Sequence, residues 1–165
     1  MENFFDTQTV EIITKLLVAV LCGIIIGGER VWAHKTAGMR TYALVAMGSA
    51  LFVVVSEAMV QTYINLPGIN PLHIVAQIVV GVGFLGTGLI FTHDSKLMGM
   101  TTATGLWVSA GIGMASGFGL FKLAFIATIL TLFIFVVLWF IEAQIKKSAW
   151  FKNDQISEGH TCEHK

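Results

Sequence analysis

Charged side chains are scarce in this chain: 12% of its 165 residues, where an ordinary soluble domain carries roughly a quarter. Hydrophobic residues reach 55% and mean hydropathy is +0.78, so the chain cannot wet its own surface in water. Lipid is the environment this composition requires. The formal net charge is zero, which removes any bulk electrostatic case for nucleic acid. Only two cysteines are present, Cys22 in an apolar run and Cys162 in the polar tail, and two isolated thiols give no disulfide framework. A basic leader is missing too. The first residues carry Glu2 and Asp6, no small-x-small site follows, and Leu21 precedes Cys22 where a lipoprotein site wants a small residue. The first apolar segment is therefore expected to stay in the mature protein as a helix. No nucleophile–base pair, paired carboxylates or phosphate loop occurs, so the chain is not expected to be an enzyme and no cofactor is expected, Mg²⁺ alone being left open.

What is present is hydrophobic length. A membrane-crossing helix needs about 20 mostly apolar residues. Five windows qualify, at residues 12–28, 42–63, 73–91, 101–118 and 120–141, and they predict an all-α integral membrane bundle of five transmembrane helices. Run together, the last two windows would make about 60 Å of helix, twice the hydrocarbon thickness. The chain must turn between them, and Gly117 and Gly119 mark the place; a re-entrant fourth segment is the alternative. Lys15, near the outer end of the first window, is expected to reach the headgroups.

Loop charges give orientation. Arg30, Lys35, Arg40, Lys96, Lys146, Lys147, Lys152 and Lys165 fall on one side, and only Lys15 and Lys122 on the other. The positive-inside rule then sets the N-terminus outside and the C-terminus in the cytoplasm, as an odd number of spans requires. The outer loop Asn65–Pro71 has turn chemistry, and Trp139 and Trp150 suit the inner interface. Residues 142–165 form a polar cytoplasmic tail, expected to be disordered and to hold no folded domain. Its His160, Cys162 and His164 are too compressed for an ordinary structural zinc site.

Helices in lipid associate through close backbone approach and polar contacts. In the fourth window Thr101, Gly105, Ser109, Gly113 and Gly117 recur every fourth residue, and Gly23 and Gly27 repeat the spacing in the first. Gln77, Gly81 and Gly88 fall near one face of the third. These rows predict tight packing, with a mobile or permeant-lining helix as the alternative. The G-x-G-x-x-G match at Gly81, Gly83 and Gly86 lies within a span and follows no strand, so a dinucleotide site fails on context. Glu57 and Gln77 are polar groups at depth and would face each other across the bundle, with ion or proton handling the functional reading and an interfacial carboxylate the bland one. The densest charge lies in the first inner loop, at Glu29, Arg30, Lys35, Arg40 and Thr41. There Glu29 would pair with Arg40 or Lys35, as a structural ion pair or as a cytoplasmic site for an anion, a nucleotide or a partner.

Three ordered motifs now carry a resemblance. They are Gly27-Gly28-Glu29-Arg30 continuing to Lys35 and Ala37-Gly38-Met39-Arg40-Thr41; Ala76-Gln77-Ile78-Val79-Val80-Gly81-Val82-Gly83-Phe84-Leu85-Gly86-Thr87-Gly88; and Gly99-Met100-Thr101-Thr102-Ala103-Thr104-Gly105-Leu106-Trp107. Together they resemble the MgtC/SapB family of bacterial membrane proteins over residues 10–140. The resemblance implies a multi-pass cytoplasmic-membrane domain linked to magnesium and ion homeostasis, to stress at low magnesium and to virulence. It implies a regulatory or accessory role, with an oligomeric ion transporter or channel as the alternative. The expected partners are the bilayer and a second copy, with a dimer favoured, or another membrane complex. Some family members carry a cytoplasmic domain after the last span, which is not expected here. The chain departs from the pattern at Val31, His73, Thr92 and Met98, where the family often has charged residues, and any anion-binding role of the second inner loop is weakened accordingly.

Overall fold

A computed structural model describes residues 6–62, 71–93 and 96–145. Helix α1 spans Thr7–Trp32, α2 Met39–Thr62, α3 Pro71–Thr87, α4 Met100–Gly117 and α5 Phe121–Phe133. Two strands, β1 (Phe91–His93) and β2 (Lys96–Met98), pair antiparallel with Phe91 opposite Met98. Contacts divide the chain into a unit Met1–Thr131 and a second unit Leu132–Lys165. The first holds α1 to α4, the hairpin and most of α5. As far as it is described, the second is helical throughout, with a π-helical stretch at Ile134–Leu138 and helix on to Ile145.

Helix ends follow from local chemistry. Asp6 caps α1, its carboxylate accepting from the Thr7 N–H at 2.8 Å. At the other end His34 takes a left-handed conformation (φ 54°), its N–H reaching the Val31 carbonyl while the Lys35 N–H reaches that of Arg30. That pair of bonds is the Schellman arrangement that satisfies a helix's last carbonyls. α4 ends the same way. Gly119 (φ 73°) donates to Ser116 and Leu120 donates to Ala115, which stops the helix and starts α5 at Phe121. The turn therefore belongs to Gly119, as glycine's tolerance of positive φ requires. Gly117 lies inside α4 and serves packing instead.

Each of the five expected windows contains a helix. α1 runs about a turn further at each end than residues 12–28, and the fifth helical run reaches Ile145 rather than residue 141. The third window is shorter than expected: α3 stops at Thr87, and Phe91 belongs to β1. Leu89 and Ile90 turn back on the Gly86 and Thr87 carbonyls, which ends the helix ahead of the small hairpin. The hairpin is the one departure from an all-α description among the described residues. Residues 65–70 of the loop expected outside, Trp150 and the tail beyond Ile145, with its histidines and Cys162, lie outside the described residues.

α1, α2 and α4 pack against one another, and α3 packs on α2 and α4. Between α1 and α2 the meeting residues are Ala19, Ala46 and Ala50, all fully buried. Around α3 the core is Val53, Ile78, Val82 and Ala110. Large apolar side chains elsewhere point outward, among them Leu17, Leu44, Phe52, Phe84 and Ile129. This is a membrane protein's arrangement: small residues inside, lipophilic ones outside. By length and composition three helices can cross a bilayer, Thr7–Trp32, Met39–Gln61 and Phe121–Ile145. α3 is shorter, with His73–Thr87 counted as apolar helix. α4 carries four glycines, three threonines and two serines, which lower its hydropathy. Eleven of its eighteen residues are buried, so protein rather than lipid surrounds most of it.

Candidate functional site

The small-residue rows are contact surfaces. A Cβ at Gly23 would lie 2.6 Å from the Ala43 Cα, and one at Gly27 2.5 Å from the Met39 Cα. At Gly113 it would overlap the Ala46 carbonyl group, and at Gly117 it would come within 2.8 Å of the Ala50 oxygen. Backbone thus meets backbone at these glycines along α1–α2 and α2–α4, which leaves no room there for a side chain on the glycine. Gly105 and Ser109 are buried in the same row, whereas Thr101 at its N-terminal end is exposed. Packing is the role of this row.

Two polar clusters sit at opposite ends of the bundle. At the end where α1 runs into the turn toward α2, the Arg30 Nε donates to the Glu29 carboxylate, with the two side chains 3% and 11% exposed. The expected pairing of Glu29 with Arg40 or Lys35 does not form. The Schellman turn swings residues 33–35 away from the bundle, and Lys35, Arg40 and Thr41 are all exposed. Nearby, the fully buried Tyr42 donates its hydroxyl to the Thr102 carbonyl at 3.1 Å, and Ser109 Oγ donates to the Tyr42 carbonyl at 3.1 Å. Tyr42 therefore clamps the start of α2 to the first turns of α4 from both ends of one residue. Among the expected residues Thr102 and Ser109 take part in this clamp, Thr102 through its backbone. Trp107 is more than half exposed and takes no part. Tyr42→Phe keeps the ring but orphans the Thr102 acceptor site. We expect a loss of about 1 kcal/mol, read as a lower Tm of the purified protein in detergent.

At the opposite end Lys15, expected to reach headgroups, is turned into the bundle and paired with carboxylates. It is 9% exposed, and its Nζ lies 3.1 Å from a Glu11 carboxylate oxygen and 3.0 Å from one of Glu57. Glu57 accordingly faces α1, not Gln77 as expected. The cause is angular: Glu57 belongs to the α2 face packed on α1, whereas Gln77 lies on the exposed side of α3. A polar cavity of about 290 Å³ opens here, with Gln8, Glu11, Lys15, Glu57 and Gln61 in its wall. Sequence reasoning missed Glu11 and the buried state of Lys15. The signal was available, because Glu11 and Lys15 are spaced i, i+4 with the acid N-terminal, the favourable order for a helical ion pair. Among the described residues no group of three His, Cys, Asp or Glu converges closely enough to hold a metal ion. Gly81 has open space where a Cβ would project, and Gly88 meets only the Leu85 oxygen at 3.4 Å, so neither joins a seam within the bundle.

Glycine-packed helices, lipophilic outer faces and paired buried charges define an α-helical membrane protein. The chain belongs to the MgtC family, whose model matches residues 16–144. Its relatives include YhiD of Escherichia coli (strain K12), named as a candidate magnesium transporter, which is 42% identical over 79% of this chain and 61% of its own length. The protein MgtC of Salmonella typhimurium (strain LT2) is 48% identical over 73% of this chain and 49% of its own. MgtC of Brucella abortus (strain 2308) is 43% identical over 67% of this chain and 44% of its own. The chain thus spans from under half to about three-fifths of the length of these relatives. No solved structure matches it.

Proposed function

We propose that the chain is a multi-pass protein of the bacterial cytoplasmic membrane that serves magnesium and ion homeostasis as a regulatory or accessory component, without catalytic chemistry or a cofactor of its own. Its five helical segments cross the bilayer, N-terminus outside and C-terminus in the cytoplasm, and it works as a dimer or with another membrane complex. Family membership and the relatives' names supply the magnesium connection. One observation carries the accessory role: the seams between α1, α2 and α4 are closed by backbone contact at Gly23, Gly27, Gly113 and Gly117. A seam that excludes one methyl group leaves no room for a hydrated cation, which keeps much of its water shell. Exposed apolar faces remain available for neighbouring helices.

A second reading, ion movement by an oligomer, is favoured by the Lys15–Glu11–Glu57 cavity, where carboxylates and amide side chains line one opening. Purified protein in liposomes separates the two. We expect no Mg²⁺, Na⁺ or K⁺ flux above empty vesicles, together with restored growth in low magnesium when the gene is returned to a deletion strain. Flux that vanishes in Glu57→Ala or Glu29→Ala would establish transport and end the accessory reading.

A further inference from the structure

The corner between α1 and α2 carries cations that the bundle leaves unused. Glu29 is engaged by Arg30, and no acid stands in the first turn of α2. Lys35 and Arg40 are both exposed, and among the described residues neither forms an ion pair. The corner is also confined in depth. Thr7–Trp32 and Met39–Gln61 are each long and apolar enough to cross a bilayer, and residues 33–38 alone join them. The chain turns back at once through His34, at φ 54°. Such a corner stays within the polar margin of a bilayer, roughly 5–8 Å deep on each side.

Helical spacing shows which way the cations face. The exposed residues Arg40, Leu44, Leu51, Val55 and Met59 lie at i, i+4, i+11, i+15 and i+19 on α2, which places them on one stripe. Leu44, one turn from Arg40, is 62% exposed. Arg40 therefore heads a column of outward apolar side chains. A similar column on α1, Leu17, Leu21 and Ile25, ends in Trp32 at 72% exposure. One apolar column thus ends in an indole and the other in a guanidinium. That is the order a bilayer edge imposes, with hydrocarbon first, then aromatic ring, then cation.

We propose that this corner binds the headgroup of an anionic phospholipid, with Arg40 and Lys35 on its phosphate and Trp32 at the level of its glycerol. From the functional reading above it needs only that α1 and α2 cross the bilayer. Depth and charge select lipid. Headgroup phosphates lie at the level of this corner, whereas a soluble anion or protein would have to enter that layer. A second copy packed here about a two-fold axis would set Arg40 against Arg40, a contact between like charges. The chemistry suits phosphate as well. A guanidinium offers paired N–H donors to two phosphate oxygens, and the lysine adds a compact charge on a flexible stem. Phosphatidylcholine brings its own cation beside the phosphate, so a net-negative headgroup is the better partner.

Trp32 reports on the lipid at this corner. The full chain with Trp107, Trp139 and Trp150 changed to phenylalanine is placed in mixed vesicles, and quenching of Trp32 by brominated phosphatidylglycerol is compared with quenching by brominated phosphatidylcholine. Phosphatidylglycerol should be favoured at least about fivefold around Trp32, and Arg40→Gln with Lys35→Gln should bring the ratio close to one. Lys122→Gln removes an exposed cation at the start of α5 and should leave the ratio unchanged. Native mass spectrometry of the otherwise unaltered chain gives a second reading: the double substitution should lose one bound phosphatidylglycerol. An equal ratio in the parent, a ratio that survives the double substitution, or a matching fall in Lys122→Gln would overturn the assignment. So would a Trp32 that neither lipid quenches, which would leave a protein over the corner. Carbonate extraction is scored alongside. A chain that resists extraction but shows no preference loses this site and keeps its membrane crossing, whereas an extracted chain loses both.

Discussion

Gly113→Leu is expected to cost more than about 3 kcal/mol, enough to remove most folded protein from the membrane. The reason is steric and local. A Cβ at this position overlaps the Ala46 carbonyl group, and the Ala46 Cα lies 2.8 Å from it. Backbone cannot rotate aside as a side chain can, so α2 and α4 would have to separate along their whole seam. Overpacking a close-packed interior typically costs 1–3 kcal/mol, and a leucine pressed against backbone belongs above that range. Thermal unfolding in detergent, with expression level beside it, measures the effect. Gly111→Leu is the matched control, one residue pair away on the same helix, where a Cβ meets nothing within 4 Å. Equal stability of the two variants would show that the α2–α4 seam is not closed as described.

The second large effect is expected at Arg30. Its side chain is 3% exposed and its Nε donates to Glu29, itself 11% exposed on the side chain. Arg30→Met keeps most of the volume but leaves a carboxylate in the bundle without its neighbouring cation. Breaking one partner of a buried pair costs about 3–5 kcal/mol, because the remaining charge is uncompensated. Replacing both partners is much milder. We therefore expect Glu29→Gln combined with Arg30→Met to recover a large part of the loss, giving a strongly non-additive double-mutant cycle in Tm. Simple additivity would mean that the two side chains stabilise the bundle independently.

These outcomes bear on how far residues alone could lead. The existence and order of the helices were legible, because apolar length is a direct physical requirement of the bilayer. So was the packing role of Gly113 and Gly117, since a four-residue recurrence fixes a helical face. Pairing was not legible. Periodicity states which residues of one helix share a face but not which helix that face meets, so Glu57 was matched with Gln77 instead of Lys15. Glu29 was misassigned for a related reason: the left-handed turn at His34 carries Lys35 outward, and a non-glycine residue in that conformation leaves little trace in sequence. The row Gln77, Gly81 and Gly88 on α3 was visible as a face, but its outward direction emerged only once Ile78 and Val82 were seen to occupy the inner one.

The makeup of α4 bears on how the protein is built in the cell. Insertion machinery admits a nascent segment to lipid according to its apolarity. A segment with nine glycines, threonines and serines among eighteen residues offers that machinery a weak signal. α1 and α2, both strongly apolar, precede it in the chain. The glycine seam then has a second consequence: it offers this weakly apolar helix a fitted partner, α2, that the ribosome has already made.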